Sequence, residues 1–277
     1  MPGSGRGRLI SRKDLEDFLH IIEWDLMRLT HDKAFIAMRT AWFLVQVLVF
    51  ARAITAIVSA NLRDVLGMDY YHFYLMGIYV SLLYSISISR GYVIADEFDD
   101  GIVEYHLSLP VKRGILVFGR VFGSSLSALL FSLPMMTITY IILGVKNMVS
   151  ILVSVLAAFM FSCGVVSFVI LIVLNIRSID ATDILIGAID AFAIRLSSIF
   201  YPLPVIEAMG LTHYYLAALV NPLTNFVDFL RTLVFPEYTL YKLSPLAMAL
   251  YVLGLVMGLV ILAIEYYERK LEAGGWK

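Results

Sequence analysis

Charged residues and cysteine are scarce in this sequence. Of the 277 residues, 16% are charged and 60% are hydrophobic, and the mean hydropathy is +0.85. Soluble domains use about 45–50% apolar residues, so this composition excludes an ordinary soluble domain. The single cysteine, Cys163, lies within an apolar run, which excludes a disulfide framework and a cysteine-based metal site.

Motifs for binding nucleotide or metal are also absent. The sequence contains no G-x-x-x-x-G-K-[ST] loop and no Gly-Lys pair, which excludes ATP binding by that mechanism. The five histidines lack ligand spacing, and no Ser/His/Asp or Cys/His set is recognisable. We therefore expect this chain to have no catalytic residue, cofactor, metal site or nucleic-acid partner, and no enzymatic activity of its own.

Long apolar runs dominate the sequence, each near the ~20 residues that cross a ~30 Å hydrocarbon layer. They predict an all-α, polytopic membrane protein with six transmembrane helices and membrane lipid around most of the chain. The predicted spans are 35–60, 73–95, 117–143, 149–174, 184–201 and 245–265.

The distribution of lysine and arginine predicts the orientation, because cytoplasmic segments are enriched in both. Fifteen of the 21 lie on the side of the N-terminus, and four lie on the opposite side. Both termini are therefore expected in the cytoplasm, with the protein in the plasma membrane. The predicted domains are a cytoplasmic tail with a surface helix (1–34), the six-span domain (35–265) and a C-terminal cytoplasmic tail (266–277).

An amphipathic helix is predicted before the first span. Ser11 and Asp14 have the spacing of a capping box at its start. Its apolar face carries Leu15, Phe18, Leu19, Ile22, Leu26 and Leu29, and its acidic face carries Asp14, Asp17, Glu23 and Asp25. We expect it to lie along the inner membrane surface. It is either an ordinary juxtamembrane helix or one that binds a protein through its acidic face, because acidic groups are not attracted to anionic lipid.

The longest predicted cytoplasmic loop, about 96–114, follows the second span. It begins with the acidic run DEFDD, followed by Gly101 and a helix-capable run over 102–109. Pro110 then disfavours helical geometry in the residue before it. The pattern predicts a short, charged helix that projects from the bilayer, and the alternative is a solvated loop.

The outer segment, about 201–244, is too long for a turn and too apolar for a solvated loop. Asn221 can cap a helix that has Pro222 at its first position. One face of that helix carries Leu223, Phe226, Val227, Leu230 and Val234, and Thr224, Asp228 and Arg231 point away from it. We expect short extracellular helices, re-entrant or at the surface of the outer leaflet, before the last span.

Arg52, Asp190 and Arg195 fall inside predicted spans, where an ionisable group costs about 2.5–3.5 kcal/mol. Asp190 either pairs with an arginine of a neighbouring helix or lines a translocation pathway, and both possibilities stay open. Two G-x-x-x-G pairs, which allow helices to approach closely, are Gly119 with Gly123 and Gly254 with Gly258.

Two of these segments resemble signatures of type-2 ABC exporter permeases. One is Glu97, Gly101 and Glu104 followed by SLPVKR, and the other is NPLTNFVDFLR over 221–231. The resemblance covers nearly the whole chain. It implies a coupling helix in the loop after the second span, which docks on a cytoplasmic ABC ATPase subunit that holds ATP and Mg. It also implies a second permease chain, identical or homologous, and an export pathway between the two.

The resemblance assigns roles to individual residues. The expected ATPase-coupling residues are Glu97, Gly101, Glu104, Tyr105, His106, Leu109, Pro110 and Arg113. The outer motif consists of Asn221, Pro222, Thr224 and Arg231, and the candidate pathway residues are Arg52, Asp190 and Arg195. The acidic DEFDD run departs from the pattern of the family.

Two other functions are considered. A membrane scaffold would recruit a cytosolic protein through the same loop without moving a solute. A secondary transporter would need coupling-ion ligands and repeated, broken helices, for which the sequence offers little support. No feature selects a substrate.

Overall fold

The computed structural model describes residues 11–57, 67–176, 178–238 and 243–272, and all regular structure in these ranges is helical. The all-α prediction is therefore confirmed. The elements are α1 (Arg12–His31), α2 (Lys33–Val45), a π-helical turn (Gln46–Phe50), α3 (Ala51–Ile57), α4 (Tyr70–Asp99), α5 (Ile102–Ser108), α6 (Arg113–Ile142), α7 (Met148–Ile176), α8 (Ile179–Arg195), α9 (Leu203–Ala208), α10 (Thr212–Val220), α11 (Pro222–Val234) and α12 (Pro245–Glu272).

Five segments in the described ranges are long and apolar enough to cross a membrane. They are the continuous helix from Lys33 to Ala56, α4, α6, α7 and α12. This confirms a multi-pass membrane protein. The fifth of the six predicted spans falls on α8, which has 17 residues. At 1.5 Å per residue it is about 25 Å long, slightly less than the ~30 Å hydrocarbon core.

The predicted boundaries of that fifth span, 184–201, are displaced from those of α8. The helix begins five residues earlier, where Ser178 caps it by accepting a hydrogen bond from the amide of Ala181. It ends at Arg195, because the backbone after it turns and packs across α4. The close approach occurs at Gly77, where an added Cβ would lie 2.1 Å from the carbonyl oxygen of Ile199.

The core of the protein is formed by α4, α6 and α7. About half of each of their most apolar segments is buried (56%), compared with 17% for the first span and 22% for α12. Tyr79, Leu83 and Phe131 are among the buried core side chains. The first span and α12 are therefore peripheral, and they expose rows of leucine, valine and methionine as a lipid-facing surface does.

The amphipathic helix predicted at the N-terminus is α1, and its capping box is present. The hydroxyl of Ser11 accepts from the amide of Asp14 at 3.1 Å, and the Asp14 carboxylate accepts from the amide of Ser11 at 3.0 Å. The helix packs against α6, with the ring of Phe18 stacked on that of Phe118 at 5.4 Å. Part of the predicted apolar face is left exposed, since Leu15 is 53% exposed and Leu19 54%.

The outer segment forms three short helices, α9, α10 and α11. Helix α10 exposes Leu216 and Val220, whereas α11 inserts between α4, α7 and α12. Its apolar face packs inward, with the ring of Phe226 stacked on that of Phe161 at 4.1 Å. Its polar face is buried as well, because Asp228 and Arg231 are both 0% exposed.

Candidate functional site

The short helix predicted after the second span is α5, which is set off by a backbone break at each end. Gly101 has a φ of 71°, in the left-handed region that glycine adopts without steric cost, and it separates α5 from α4. At the other end, Leu109 is extended with a ψ of 142°, as the following Pro110 requires. The loop therefore contains a helix and is not merely a solvated connection.

The two sides of α5 have different surroundings. Tyr105 is 62% exposed, and Pro110 and Arg113 are exposed nearby. His106 is only 3% exposed, and its ring meets that of Trp24 on α1 edge-on, with 4.8 Å between centroids. The side chain of Glu104 lies outside the described residues. One side of α5 is therefore open to a partner, while the other is fixed against α1.

A charge cluster, consisting of Asp25, Arg28, Glu97 and Arg120, links three helices next to α5; Asp25, Glu97 and Arg120 are buried, and Arg28 is 31% exposed. Arg120 is 1% exposed and donates through Nη1 to Asp25 and through Nη2 to Glu97 Oε1 at 2.6 Å. Arg28 donates to the same oxygen of Glu97, also at 2.6 Å. Two carboxylates and two guanidinium groups thus connect α1, the end of α4 and the start of α6.

Two further ion pairs fasten the ends of α1. Near its start, Lys112 Nζ lies 2.5 Å from Asp14 Oδ2, and just beyond its end Arg90 Nη2 lies 2.8 Å from Asp32 Oδ2. The acidic face predicted for α1 therefore needs a correction. Asp14 and the cluster residue Asp25 point inward and pair within the chain, so they are not available to bind another protein.

The first G-x-x-x-G pair explains how α1 approaches α6. A Cβ at Gly119 would lie 2.9 Å from Ile21 Cγ2, and one at Gly123 would lie 2.6 Å from Asp25 Oδ2. Such distances are too short for a Cβ, so both glycines are needed for this contact. The second pair, Gly254 with Gly258, approaches no other described residue closely, since an added Cβ at either would have no atom within 4 Å.

Replacing Gly123 with alanine is expected to lower the free energy of unfolding by about 1–3 kcal/mol, because the new methyl group overpacks the contact with Asp25. Gly187→Ala on α8 is the matched control, since its Cβ would meet nothing within 4 Å. That change is expected to be neutral or stabilising by up to about 1 kcal/mol. Unfolding in detergent measures both, and equal effects would contradict the close approach.

Burial lowers the pKa of His106 below its usual value of 6.5; the nearby Glu97 opposes this shift, whereas Arg120 and Arg28 add to it. The unfolded chain therefore binds more protons below pH 6.5 than the folded one, and stability is lost as the pH falls toward the folded pKa. Between about pH 7.5 and about pH 5.5, the free energy of unfolding measured in detergent should fall with a slope of at most about 1.4 kcal/mol per pH unit from this group. His106→Phe keeps a ring beside Trp24 and should lose this part of the slope, and an unchanged slope would refute the prediction.

A second buried network holds α11 against the turn that follows α8. Arg231 Nη1 donates to Asp228 Oδ1 at 2.7 Å and to the carbonyl of Ser198 at 3.0 Å. Its Nη2 donates to the carbonyls of Phe73 at 2.9 Å and Ile199 at 3.0 Å. The guanidinium also lies 3.5 Å from the centroid of the Phe73 ring. A single side chain therefore ties together α11, the turn after α8 and the start of α4.

The other residues of the outer motif complete this arrangement. Asn221 caps α11 as predicted, accepting from the amide of Leu223 at 2.9 Å, with Pro222 in the first turn. Thr224 is buried, and its hydroxyl accepts from the amide of Ser198 at 2.9 Å. The hydroxyl of Tyr238 donates to Asp228 Oδ1 at 2.9 Å. Thr224 and Arg231 are thus buried within this chain, whereas Asn221 and Pro222 are half-buried.

The candidate pathway residues are not brought together into one site. Arg52 is exposed on the first span, and Arg195 is exposed at the end of α8, where it donates to the carbonyl of Ala191 at 3.3 Å. Asp190 is half-buried, and its Oδ1 has no hydrogen-bond partner among the described residues. No arginine of a neighbouring helix pairs with Asp190 in the described ranges, so the sequence-based pairing finds no support there.

The sequence-based site omitted Asp25, Arg28 and Arg120 from the inner cluster. Arg120 entered the prediction only as one of the cytoplasmic positive charges. Arg120 is the eighth residue of a helix whose other charged residue, Arg113, is at its start, and this was a usable signal, because an arginine within an apolar segment usually pairs with a carboxylate or a backbone carbonyl. Its partner Asp25 is 95 residues away in the sequence, so periodicity alone could not identify the pair.

Comparison with known proteins identifies the family of the chain. A family model described as ABC-2 type transporter matches residues 18–235, from α1 through α11. A search of curated proteins found no match. The matched region contains the cluster beneath α5 and, except for Tyr238, the network around α11. The chain therefore belongs to the ABC-2 type transporter family, as a multi-pass membrane permease that is not catalytic by itself.

Proposed function

We propose that this permease is driven by a separate cytoplasmic ABC ATPase that docks on the exposed side of α5. The observation that carries the proposal is the contrast between the two sides of that helix. Tyr105 is exposed, whereas His106 is buried against Trp24. A partner that moved α5 would therefore also act on α1 and on the charge cluster beneath it.

ATP binding is assigned to the partner because the sequence of this chain contains no phosphate-binding loop. ATP and Mg would be held by the ATPase subunit. Its closure would move α5, and the cluster around Arg120 would pass that movement to α4 and α6 as a unit. In this mechanism the permease supplies the membrane passage and the partner supplies the free energy.

The complete assembly would contain two permease chains, each with an ATPase, and would export a solute along a pathway between the chains. With α8 as a sixth crossing, both termini lie on one side of the membrane. The excess of lysine and arginine on that side supports a cytoplasmic location for both termini, with the protein in the plasma membrane. The side of α5 that carries Tyr105 would then face the ATPase.

Reconstitution with an ABC ATPase subunit that co-purifies with this chain tests the proposal. Tyr105→Ala is expected to weaken ATPase binding about tenfold, since a tyrosine at a hot spot contributes roughly 1–2 kcal/mol, and to reduce permease-stimulated hydrolysis. Tyr201→Ala is the matched control, because Tyr201 is similarly exposed at 54% but lies in the outer segment.

Unchanged ATPase binding and hydrolysis in Tyr105→Ala would refute docking on α5. A scaffold would give a different result, because it would bind the ATPase normally without any ATP-dependent movement of solute across the vesicle membrane.

A further inference from the structure

A cavity of about 310 Å³ lies between α8 and α12, with walls that also include α4, α7 and α11. Its inner wall is buried, since Tyr84 is 6% exposed, Phe161 4% and Val256 3%. Its rim is formed by Ala193 of α8, which is half-buried, and Leu255 of α12, which is 38% exposed. The cavity is therefore deep on one side and accessible between the two helices.

The lining of this cavity is almost entirely aliphatic and aromatic. Its one amide side chain, Asn221, is already occupied. It donates to the carbonyls of Ala193 at 2.8 Å and Leu196 at 2.9 Å, and it accepts from the amide of Leu223. The cavity offers no charged group to a polar ligand. An apolar cavity of about 150 Å³ stays dry and binds benzene, and this one is twice as large.

The rim of the cavity continues into the lipid-facing surface of the protein. Leu185 on α8 is 40% exposed and lies one turn from the lining residue Ile189, and Leu262 on α12 is 56% exposed and lies one turn from the lining residue Leu259. In a bilayer, such a surface is covered by hydrocarbon chains. An empty cavity would forgo the dispersion contacts that its walls could make, and the chains at the rim are the nearest apolar groups that could supply them.

We propose that this cavity binds one hydrocarbon chain of a membrane lipid. The chain enters between α8 and α12, lies against Phe161 and Tyr84, and leaves its headgroup outside the protein. The bound chain supplies packing for α12, which buries only 22% of its most apolar segment against the rest of the protein. This binding site is independent of any ATPase and does not rest on the proposed function.

Photolabelling of the purified chain in phosphatidylcholine nanodiscs tests the proposal, with a diazirine on the lipid acyl chain. Bulk lipid reaches exposed positions such as Leu246, which is 68% exposed and serves as the internal reference. The expected result is additional labelling of the buried side chains Phe161 and Tyr84, mapped by peptide mass spectrometry. Labelling of Leu246 without labelling of Phe161 and Tyr84 would overturn the proposal. That result is also expected if a second copy of the chain, rather than lipid, covers the rim.

Filling the cavity provides the matched comparison. Ala193→Trp places a large side chain in the rim, and Ala188→Trp places the same side chain at an exposed position of the same helix. Labelling of Phe161 and Tyr84 is expected to be lost in the first variant and kept in the second, with Leu246 labelled equally in both. Leu259→Trp fills the cavity from α12, and it replaces Ala193→Trp in the experiment if that variant does not fold. Persistent labelling of Phe161 and Tyr84 in a folded, filled variant would refute the site.

Discussion

Arg120→Met is expected to lower the free energy of unfolding by about 3–5 kcal/mol, the cost of removing one partner from a buried ion pair. Arg120 is 1% exposed, and its two carboxylate partners, Asp25 and Glu97, are 4% and 2% exposed. Methionine fills a similar volume but leaves both carboxylates without this cation. Arg28 stays beside Glu97, whereas the side-chain hydrogen bond that Asp25 retains among the described residues is that from the hydroxyl of Ser124, at 3.3 Å.

Arg113→Met is the control for this prediction, because Arg113 begins the same helix but is exposed. Its effect on unfolding in detergent should stay within about 0.5 kcal/mol. A triple variant, Arg120→Met with Asp25→Asn and Glu97→Gln, leaves neither carboxylate charged; the remaining cation, Arg28, is 31% exposed and can be solvated, so much of the lost stability should be recovered. If Arg120→Met and Arg113→Met behave alike, the cluster does not stabilise the fold.

The triple variant also separates stability from coupling. Under the proposed function, the charged cluster transmits the movement of α5 to α4 and α6. A folded triple variant should therefore bind the ATPase through Tyr105 but show weaker ATP-driven transport. Normal transport would mean that the ion pairs only hold the helices together.

Local sequence rules predicted the elements around both sites well. The capping box at Ser11 and the cap at Asn221 are present, and α5 lies between Gly101 and Pro110. Each of these features depends on residues only a few positions apart. The apolar runs likewise located five spans, because crossing a bilayer requires length and composition that a single segment displays by itself.

Long-range pairing could not be predicted in the same way. Helical periodicity placed Asp25 on a solvated face of α1, because an acidic residue opposite an apolar row normally faces water. The arginine that pairs with it lies on α6, and the resulting ion pair allows that face to be buried. The same limit applies to Arg231, whose acceptor at Phe73 is 158 residues away.

The two G-x-x-x-G pairs show how identical local patterns acquire different roles. Gly119 and Gly123 pack closely against α1, a surface helix, whereas Gly254 and Gly258 make no close contact within the described part of the chain. The motif indicates that close approach is possible. Which neighbour approaches depends on the arrangement of helices, and that arrangement is not encoded in the motif.

Arg231→Met is expected to have an effect of similar size at the outer network, about 3–5 kcal/mol in the free energy of unfolding. The change removes the partner of Asp228 and the donors to the backbone carbonyls of Phe73, Ser198 and Ile199. These acceptors are buried, so each would lose a hydrogen bond that water cannot easily replace. Arg231→Lys keeps the charge but lacks the planar fork that reaches several acceptors, and an intermediate loss is expected.

Arg195→Met is the control for the outer network, because Arg195 is exposed and its side chain donates only to the carbonyl of Ala191 among the described residues. Phe73 and Glu97 lie 24 residues apart on α4, which separates the two networks by about 36 Å along that helix. Arg231→Lys should therefore leave ATPase binding at α5 intact while it lowers the unfolding midpoint and impairs transport. Equal stability of Arg231→Met and Arg195→Met would show that the buried guanidinium does not hold α11 in place, and weakened ATPase binding in Arg231→Lys would show that the two networks are not independent.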